Sequence, residues 1–390
     1  MKDKQLSIVF FVAVLSALIS ACPPTAAPKK TVKIKPVSPL IKTIDGTGDV
    51  GKHASIDLSN DSIFVSYYDA TNGNLKFALS ENNGLTWTIK TVDSAGDVGL
   101  MSSIAVAGGS VYIAYYDLTN TALKLAVSRD MGETWDPSDI VTIDAADTVG
   151  INPYISINDG FIAISYFDET AGGLKLAYST DDCSTCTVAD VYSGPPAKGL
   201  FNSVFYYKSN LYMSMSDQLS VYLGIFTVSE DGTVDIDTDN IEIINDSRDS
   251  PYYTGLYRSG ETLVGVSSNM FEPYQIRFYR SDDLGDSWDF DYSRLIGNNT
   301  DDASSIHING YGGRIYVSYY EDNSNDMRII SSNDLGSTWK SSVKVEDTTH
   351  DVGSFNGIAV RGPNVFAVYY DATDKSLKFA RSGDYGVTWK

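Results

Sequence analysis

Six acids recur at one place in a repeated tripeptide. Asp69, Asp117 and Asp371 each end a "YYD", Asp168 ends "YFD", Asp217 ends "MSD" and Glu321 ends "YYE"; Asn269 ends "SSN" at a seventh copy. A ring of carboxylates is the chemistry of a cation site. Seven residues after five of these acids stands a base: Lys76, Lys124, Lys175, Arg328 and Lys378. That spacing spans one hairpin turn, so it predicts cross-strand ion pairs of roughly 0.2–1 kcal/mol each rather than a metal ring. Two neighbouring units break the rule. Asp217 has Ile225 where a base is expected, and Asn269 replaces the acid while Arg277 keeps the base; both hairpins read as one residue longer. Phe201, Tyr252, Tyr253, Phe271 and Tyr274 crowd the same two units, with the amides of Asn202 and Asn269. Flat apolar faces with polar tips, beside amides, an acceptor (Asp217) and a donor (Arg277), suit a sugar ring or a peptide segment. The candidate ligand site is therefore Asn202, Asp217, Tyr252, Tyr253, Asn269, Phe271, Tyr274 and Arg277. No catalytic or metal-binding residue is assigned.

Weaker signals point to structure. "DIDTDNIE" (235–242) crowds Asp235, Asp237, Asp239 and Glu242. It lacks the glycine and the twelve-residue acid spacing of a calcium loop, so a solvated loop is expected, with calcium as the alternative and no other cofactor. His53, His307 and His350 have no spacing relation to acids or cysteines and read as structural or solvated. Cys183 and Cys186, in "CSTC", are expected to form a disulfide if the chain is exported. A redox pair would need a thioredoxin-like βαβ pattern, which is missing, and a zinc site would need two more ligands nearby.

The elements that carry these residues repeat. Aligned on the tripeptide, the chain contains seven units roughly 48 to 52 residues apart. Each reads as four short strands: one like "SIAVA", one like "SVYIAYYD", one like "LKLAVS" and one like "WTIKTVD", with Gly/Asn/Asp turns between them. Alternating and β-branched residues between such turns predict antiparallel strands. Seven four-stranded units predict an all-β, seven-bladed β-propeller. The last unit stops at "GVTWK" without a fourth strand, and "LIKTID" near the start matches "TIKTVD" of the first full unit. Residues 38–45 are thus expected to complete the last blade and hide both sheet edges.

The turn before the fourth strand is written as "SENNGLTW" (80–87), "SRDMGETW" (128–135), "SDDLGDSW" (281–288), "SNDLGSTW" (332–339) and "SGDYGVTW" (382–389); units 3 and 4 carry degenerate copies. This S-x-D-x-G-x-T-W turn resembles the Asp-box, or bacterial neuraminidase repeat, of sialidase-like propellers. The resemblance covers about residues 38–390. It implies that the boxes lie on the face opposite any ligand site, which leaves the "DVG" loops and "YYD" ends on the working face. In unit 3, Cys183 and Cys186 take the Gly and Trp places, so a disulfide there is expected to replace lost turn chemistry. A sialidase of this kind also needs three arginines, a Tyr–Glu nucleophile pair and an Asp acid. The region that would hold its first arginine, "TIDGTGDVGKHASI", has none. The family's catalytic residues are not carried over. The expectation is a non-catalytic binder of a glycan or protein ligand, with a sialidase-like glycosidase as the alternative.

The N-terminus reads as an address. "MKDKQLSIVFFVAVLSALISAC" has a charged start and an apolar run from Leu6 to Ile19, and "ISAC" resembles a lipoprotein lipobox with Cys22 as the lipidated residue. Residues 1–22 are the expected signal, 23–37 a Pro-rich tether and 38–390 the propeller. A lipid-anchored monomer of the cell envelope follows, in the outer membrane if the host has one, with the lipid as its only membrane contact. The net charge of −21 argues against nucleic acid as a partner, because phosphate binding needs a basic footprint.

Overall fold

A computed structural model describes residues 34–217, 219–245, 251–269, 276–288, 294–296, 303–346 and 349–389. The signal segment, Cys22, Phe271 and Tyr274 lie outside the described residues, as do the side chains of Tyr252 and Asn269.

The strands form seven separate antiparallel sheets in simple up-and-down order. In blade 1 the strands are Val50–Ser59, Ser62–Asp69, Asn74–Ser80 and Thr88–Asp93, running from the centre outwards. Six sheets have four strands. In blade 4 the outer position is split, because Val234–Asp235 and Ile241–Asn245 both pair with Val221–Val228. The second strands are buried along nearly their whole length, as in Ser62–Asp69 and Phe161–Asp168. Each is sandwiched between two neighbouring blades, which is why its sequence is almost continuously apolar rather than alternating. The core is a series of interblade layers. Phe64, Phe77 and Leu75 of blade 1 pack against Val98, Ile104, Ile113 and Tyr115 of blade 2.

The closure is as expected. Leu40–Asp45 pairs antiparallel with Ser376–Ser382, from Leu40 opposite Arg381 to Asp45 opposite Leu377, and becomes the outer strand of blade 7.

The repeated eight-residue turn does more than cover its own hairpin. In blade 6, Ser332 Oγ accepts from Gly336 N (2.8 Å), and Asp334 accepts from Thr338 N (2.8 Å) and Thr338 Oγ1 (2.7 Å). Leu335 and Gly336 are both left-handed, at φ 53° and 90°. A Cβ on Gly336 would stand 2.0 Å from Phe278 of blade 5, and Trp339 meets the same ring edge-on at 5.1 Å. Gly132 and Trp135 of blade 2 hold Phe77 of blade 1 in the same way. The turn is thus an interblade clasp, and its glycine is needed both for its dihedral and for its missing side chain.

Blade 3 corrects the expectation of lost turn chemistry. Cys183 and Cys186 do form a disulfide. Yet Ser179 and Asp181 still make the turn's hydrogen bonds, to Cys183 N (3.2 Å), Thr185 N (3.2 Å) and Thr185 Oγ1 (2.7 Å). The disulfide adds to the turn instead of replacing it. Cys183, left-handed at φ 55°, packs with Leu125 of blade 2. A leucine stands where Phe77 stands in blade 1, and that smaller partner leaves room for sulfur.

Candidate functional site

The acid–base pairs exist, but their main partner is one the tripeptide does not contain. Lys76 Nζ lies 2.5 Å from Asp45, Lys124 2.5 Å from Asp93, Lys175 2.9 Å from Asp144 and Lys378 2.8 Å from Glu346. The "YYD" acids are secondary, at 3.7 Å for Asp117, 3.8 Å for Asp168 and 3.9 Å for Asp371. The reason is that these acids cap their own turns: Asp69 accepts from Thr71 N and Asn72 N, and Asp117 from Asn120 N. The primary acids Asp45, Asp93 and Asp144 end the outer strand of the preceding blade, and Glu346 stands two residues past its strand. Each also accepts from the first tyrosine of the tripeptide: Tyr67 to Asp45 (2.8 Å), Tyr115 to Asp93 (2.6 Å), Tyr166 to Asp144 (2.7 Å) and Tyr369 to Glu346 (2.7 Å). The result is a Tyr–acid–Lys clamp across four blade junctions. Burial pushes Asp93 upward, but the hydrogen bonds from Lys124 and Tyr115 outweigh it and hold the carboxyl below its ordinary range. Arg328 pairs with Glu321 of its own blade at 2.5 Å.

Blade 4 departs from the pattern differently from what spacing suggests. Met215 pairs with Tyr222, where Tyr67 pairs with Lys76. Its hairpin is shorter, not longer, so Tyr222 rather than Ile225 takes the place of the base. Asp217 is not an open acceptor. It takes hydrogen bonds from Tyr222 Oη (2.6 Å), Leu219 N (2.7 Å) and Ser220 N (2.7 Å). The cation comes from elsewhere: Lys198 Nζ lies over the Tyr192 and Tyr222 rings, at 4.4 and 4.1 Å. In blade 5, Arg277 is half-buried on the third strand opposite Ser267.

The "DVG" loops and "YYD" ends share one face. Ala70 N donates to Asp49 O and Leu118 N to Asp97 O, and the second tyrosines reach the loop acids, Tyr68 to Asp97 (2.6 Å) and Tyr370 to Asp49 (2.7 Å). The box turns meet the hairpins of the opposite face, as in Leu335 N to Gly313 O.

Between these faces runs a central cavity of about 640 Å³ lined by the innermost strand of every blade. Its mouth is a ring at one equivalent position: His53, Met101, Asn152, Phe201, Tyr253, Ser305 and Phe355. In five blades the innermost strand bulges there, at His53, Met101, Asn152, Ser305 and Phe355, and each of these residues is left-handed, with φ between 48° and 54°. The bulge turns the side chain towards the mouth. Two aromatic pairs stand in the ring. His53 and Phe355 meet at 4.4 Å between ring centroids, and Phe201 and Tyr253 at 4.3 Å. They belong to blades 1 and 7 and to blades 4 and 5, on opposite sides of the axis.

Deeper in the channel lie Tyr154, His307, Asp57 and Asn309. Desolvation lowers His53 to about 4, with Lys52 adding to the effect, so its ring is neutral at pH 7. Desolvation also lowers His307, although its side chain is exposed. Burial raises Asp57 to about 6 against hydrogen bonds from Leu58 N and Val106 N.

Of the sequence-derived site, Tyr253 and Asn202 reach the mouth. The Asn202 amide is committed: its oxygen accepts from Ser165 Oγ, and its nitrogen donates to Gly199 O (3.0 Å) and Asn152 O (3.2 Å). Asp217 and Arg277 are not among the residues that line the cavity. Phe201, grouped with Tyr253 by sequence, lines the mouth as well; His53 was read as structural or solvated, and Met101, Asn152, Ser305 and Phe355 were not singled out.

Two other groups remain: the acidic stretch flagged by sequence, and a grouping at the rim that the sequence reading did not single out. Asp237 caps a short 3-10 turn, Thr238–Asn240, within the acidic stretch. The donors of His350, Asp371 and Asp374 converge on the rim, within 4.8 Å of one another. His350 is raised by its hydrogen bond to Asp371 and Lys378 lies beside the same carboxylate, so the grouping has cations of its own.

No known family matches the chain, and no curated protein matches it. Solved structures do. The BP39L lectin from Burkholderia pseudomallei superposes with a TM-score of 0.61 at 11% identity, over 86% of this chain and 97% of that one. The polysaccharide lyase Uly1 gives 0.56 at 10% identity, over 93% and 94%. The Hadza microbial sialidase Hz136 gives 0.51 at 15% identity, over 83% and 74%. At such identities the likeness is one of fold.

Proposed function

We propose that this protein is a non-catalytic, lectin-like propeller that binds a saccharide at the channel mouth and is displayed on the cell envelope through lipid on Cys22. The carrying observation is the mouth ring, where two aromatic pairs stand among Asn152, Ser305 and Met101. Aromatic faces stack on the C–H face of a sugar, and amides and hydroxyls meet its edge. The fold it shares with a lectin supports the reading. A sialidase-like glycosidase is the second reading, supported by the likeness to a sialidase. Glycosidases of the common type work with two carboxylates. Among the described residues lining the cavity, Asp57 is the one carboxylate and there is no arginine, which favours binding over hydrolysis. The envelope address rests on Leu6–Ile19 and "ISAC".

A printed glycan array probed with the purified protein, followed by calorimetry on the hits, tests the binding reading. Saturable binding of at least one saccharide is expected, without release of a fluorescent leaving group from a sialoside. Turnover of the sialoside would overturn the non-catalytic reading.

A further inference from the structure

At the mouth ring the repeats agree in backbone and disagree in side chain, as they also do at the left-handed box-turn residues Asn83, Met131, Leu284, Leu335 and Tyr385. The clamps, the loop acids and the box turns recur from blade to blade. The bulge also recurs, in five blades, and it holds a non-glycine residue in the left-handed region each time. That conformation costs an L-residue roughly 1–2 kcal/mol. Glycine would remove the cost, and glycine is what the chain uses two residues earlier, at Gly51, Gly99, Gly150 and Gly353, where a Cβ would strike the neighbouring blade. At the bulge it uses His, Met, Asn, Ser and Phe instead. What sets the ring apart from the box turns is that its varied side chains line the central cavity, where a ligand can touch them.

The chemistry of the ring narrows the ligand. None of its seven side chains is charged at neutral pH, since His53 is held near 4. No lysine or arginine lines the cavity among the described residues, and the chain carries a net charge of −21. Such a mouth has nothing to pair with a carboxylate, and its surroundings repel one. The two aromatic pairs offer facing walls, and about 640 Å³ is the size of a small-ligand site.

We infer that the mouth ring is the specificity-determining element and that it reads an uncharged sugar ring inserted at the channel mouth, not an acidic sugar. The inference rests on the saccharide-binding reading and adds the ligand's charge class and the residues that select it.

The test uses the full chain and an array of neutral methyl hexopyranosides beside the matching hexuronates, at physiological salt. Neutral glycosides should bind and the hexuronates should bind at least tenfold more weakly. Phe355→Ala and Tyr253→Ala should each weaken binding at least tenfold. His53→Gly removes the side chain while relieving its backbone, so it should keep the melting temperature within a few degrees and still lose affinity. Leu118→Ala, on an exposed turn away from the ring, should change nothing. Stronger binding of the hexuronates would overturn the charge class and leave saccharide binding standing. Binding indifferent to all three ring variants would overturn the ring. No binding to any saccharide would overturn the reading on which both rest.

Discussion

Lys124 illustrates how much one side chain carries. Its ammonium and the Asp93 carboxylate are 12% and 4% exposed, and Tyr115 donates to the same carboxylate. Breaking a buried pair by removing one partner strands the other charge. Lys124→Met should cost about 3 kcal/mol in a denaturant melt, and Lys124→Met with Asp93→Asn should cost less than the sum of the single changes. A strictly additive double mutant would show the clamp to be decorative. The same groups set the response to acid. Asp45, Asp93 and Asp144 lie below the ordinary aspartate value, so the stability they contribute is present above about pH 4 and is lost as pH falls through their lowered pKa values. His53 and His307 are lowered instead, so the folded chain binds fewer protons than the unfolded one between 6.5 and about 4, and stability falls with pH there. Asp57, raised to about 6, opposes them over the same window. The melting temperature should therefore decline shallowly from pH 6.5 to 4 and steeply below. His53→Gln should flatten the shallow limb and leave the steep one.

At the scale of elements, the loops entering each blade leave no room for a side chain. Gly99 sits at φ 97°, and a Cβ there would lie 2.6 Å from Leu75 Cα in the preceding blade. Because the obstacle is backbone, Gly99→Ala should destabilise by more than about 2 kcal/mol, combining dihedral strain with overpacking. The exposed Gly108, with nothing within 4 Å, is the control and should lose far less on the same change. The blade 3 turn makes the converse prediction. Its Ser179–Asp181–Thr185 hydrogen bonds do not need the disulfide. Cys183→Gly with Cys186→Trp restores the residues of the other turns, and Leu125 offers the surface on which that indole packs. The double variant should melt within a few degrees of the parent, and a collapse of the transition would show that the disulfide is indispensable.

For the whole molecule, closure is the decisive contact. Residues 38–45 complete blade 7 and also deliver Asp45 to Tyr67 and Lys76 of blade 1. Deleting them exposes a sheet edge and breaks the clamp at the junction that joins the two ends of the chain. A loss on the order of 5 kcal/mol is expected from the stranded charge and the exposed apolar strand together, and unchanged melting would exclude this closure. The chain enters the propeller on the box face: Val37 N donates to Asn364 Oδ1 (2.9 Å) and Asn364 Nδ2 to Lys35 O (2.8 Å), beside the hairpin that meets the last box turn.

The sequence alone determined the architecture. Turn residues and strand patterning are local properties, and seven repetitions of them leave few closed solutions; the half-unit at each end then shows where the ring is joined. It also marked blade 4 as departing from the acid–base rule. What it did not yield was the partner of each charge. Asp93 and Lys124 are 31 residues apart, and their meeting depends on how one blade packs on the next, a distance no hairpin count can reach. The turn lengths in blade 4 were misjudged for a related reason: strand register is set by interblade packing, so Tyr222 took the place that spacing assigned to Ile225. The mouth ring belongs wholly to the tertiary structure. His53 and Phe355 are neighbours only because the ring closes, and a bulge, invisible in residue types, aims them at the axis.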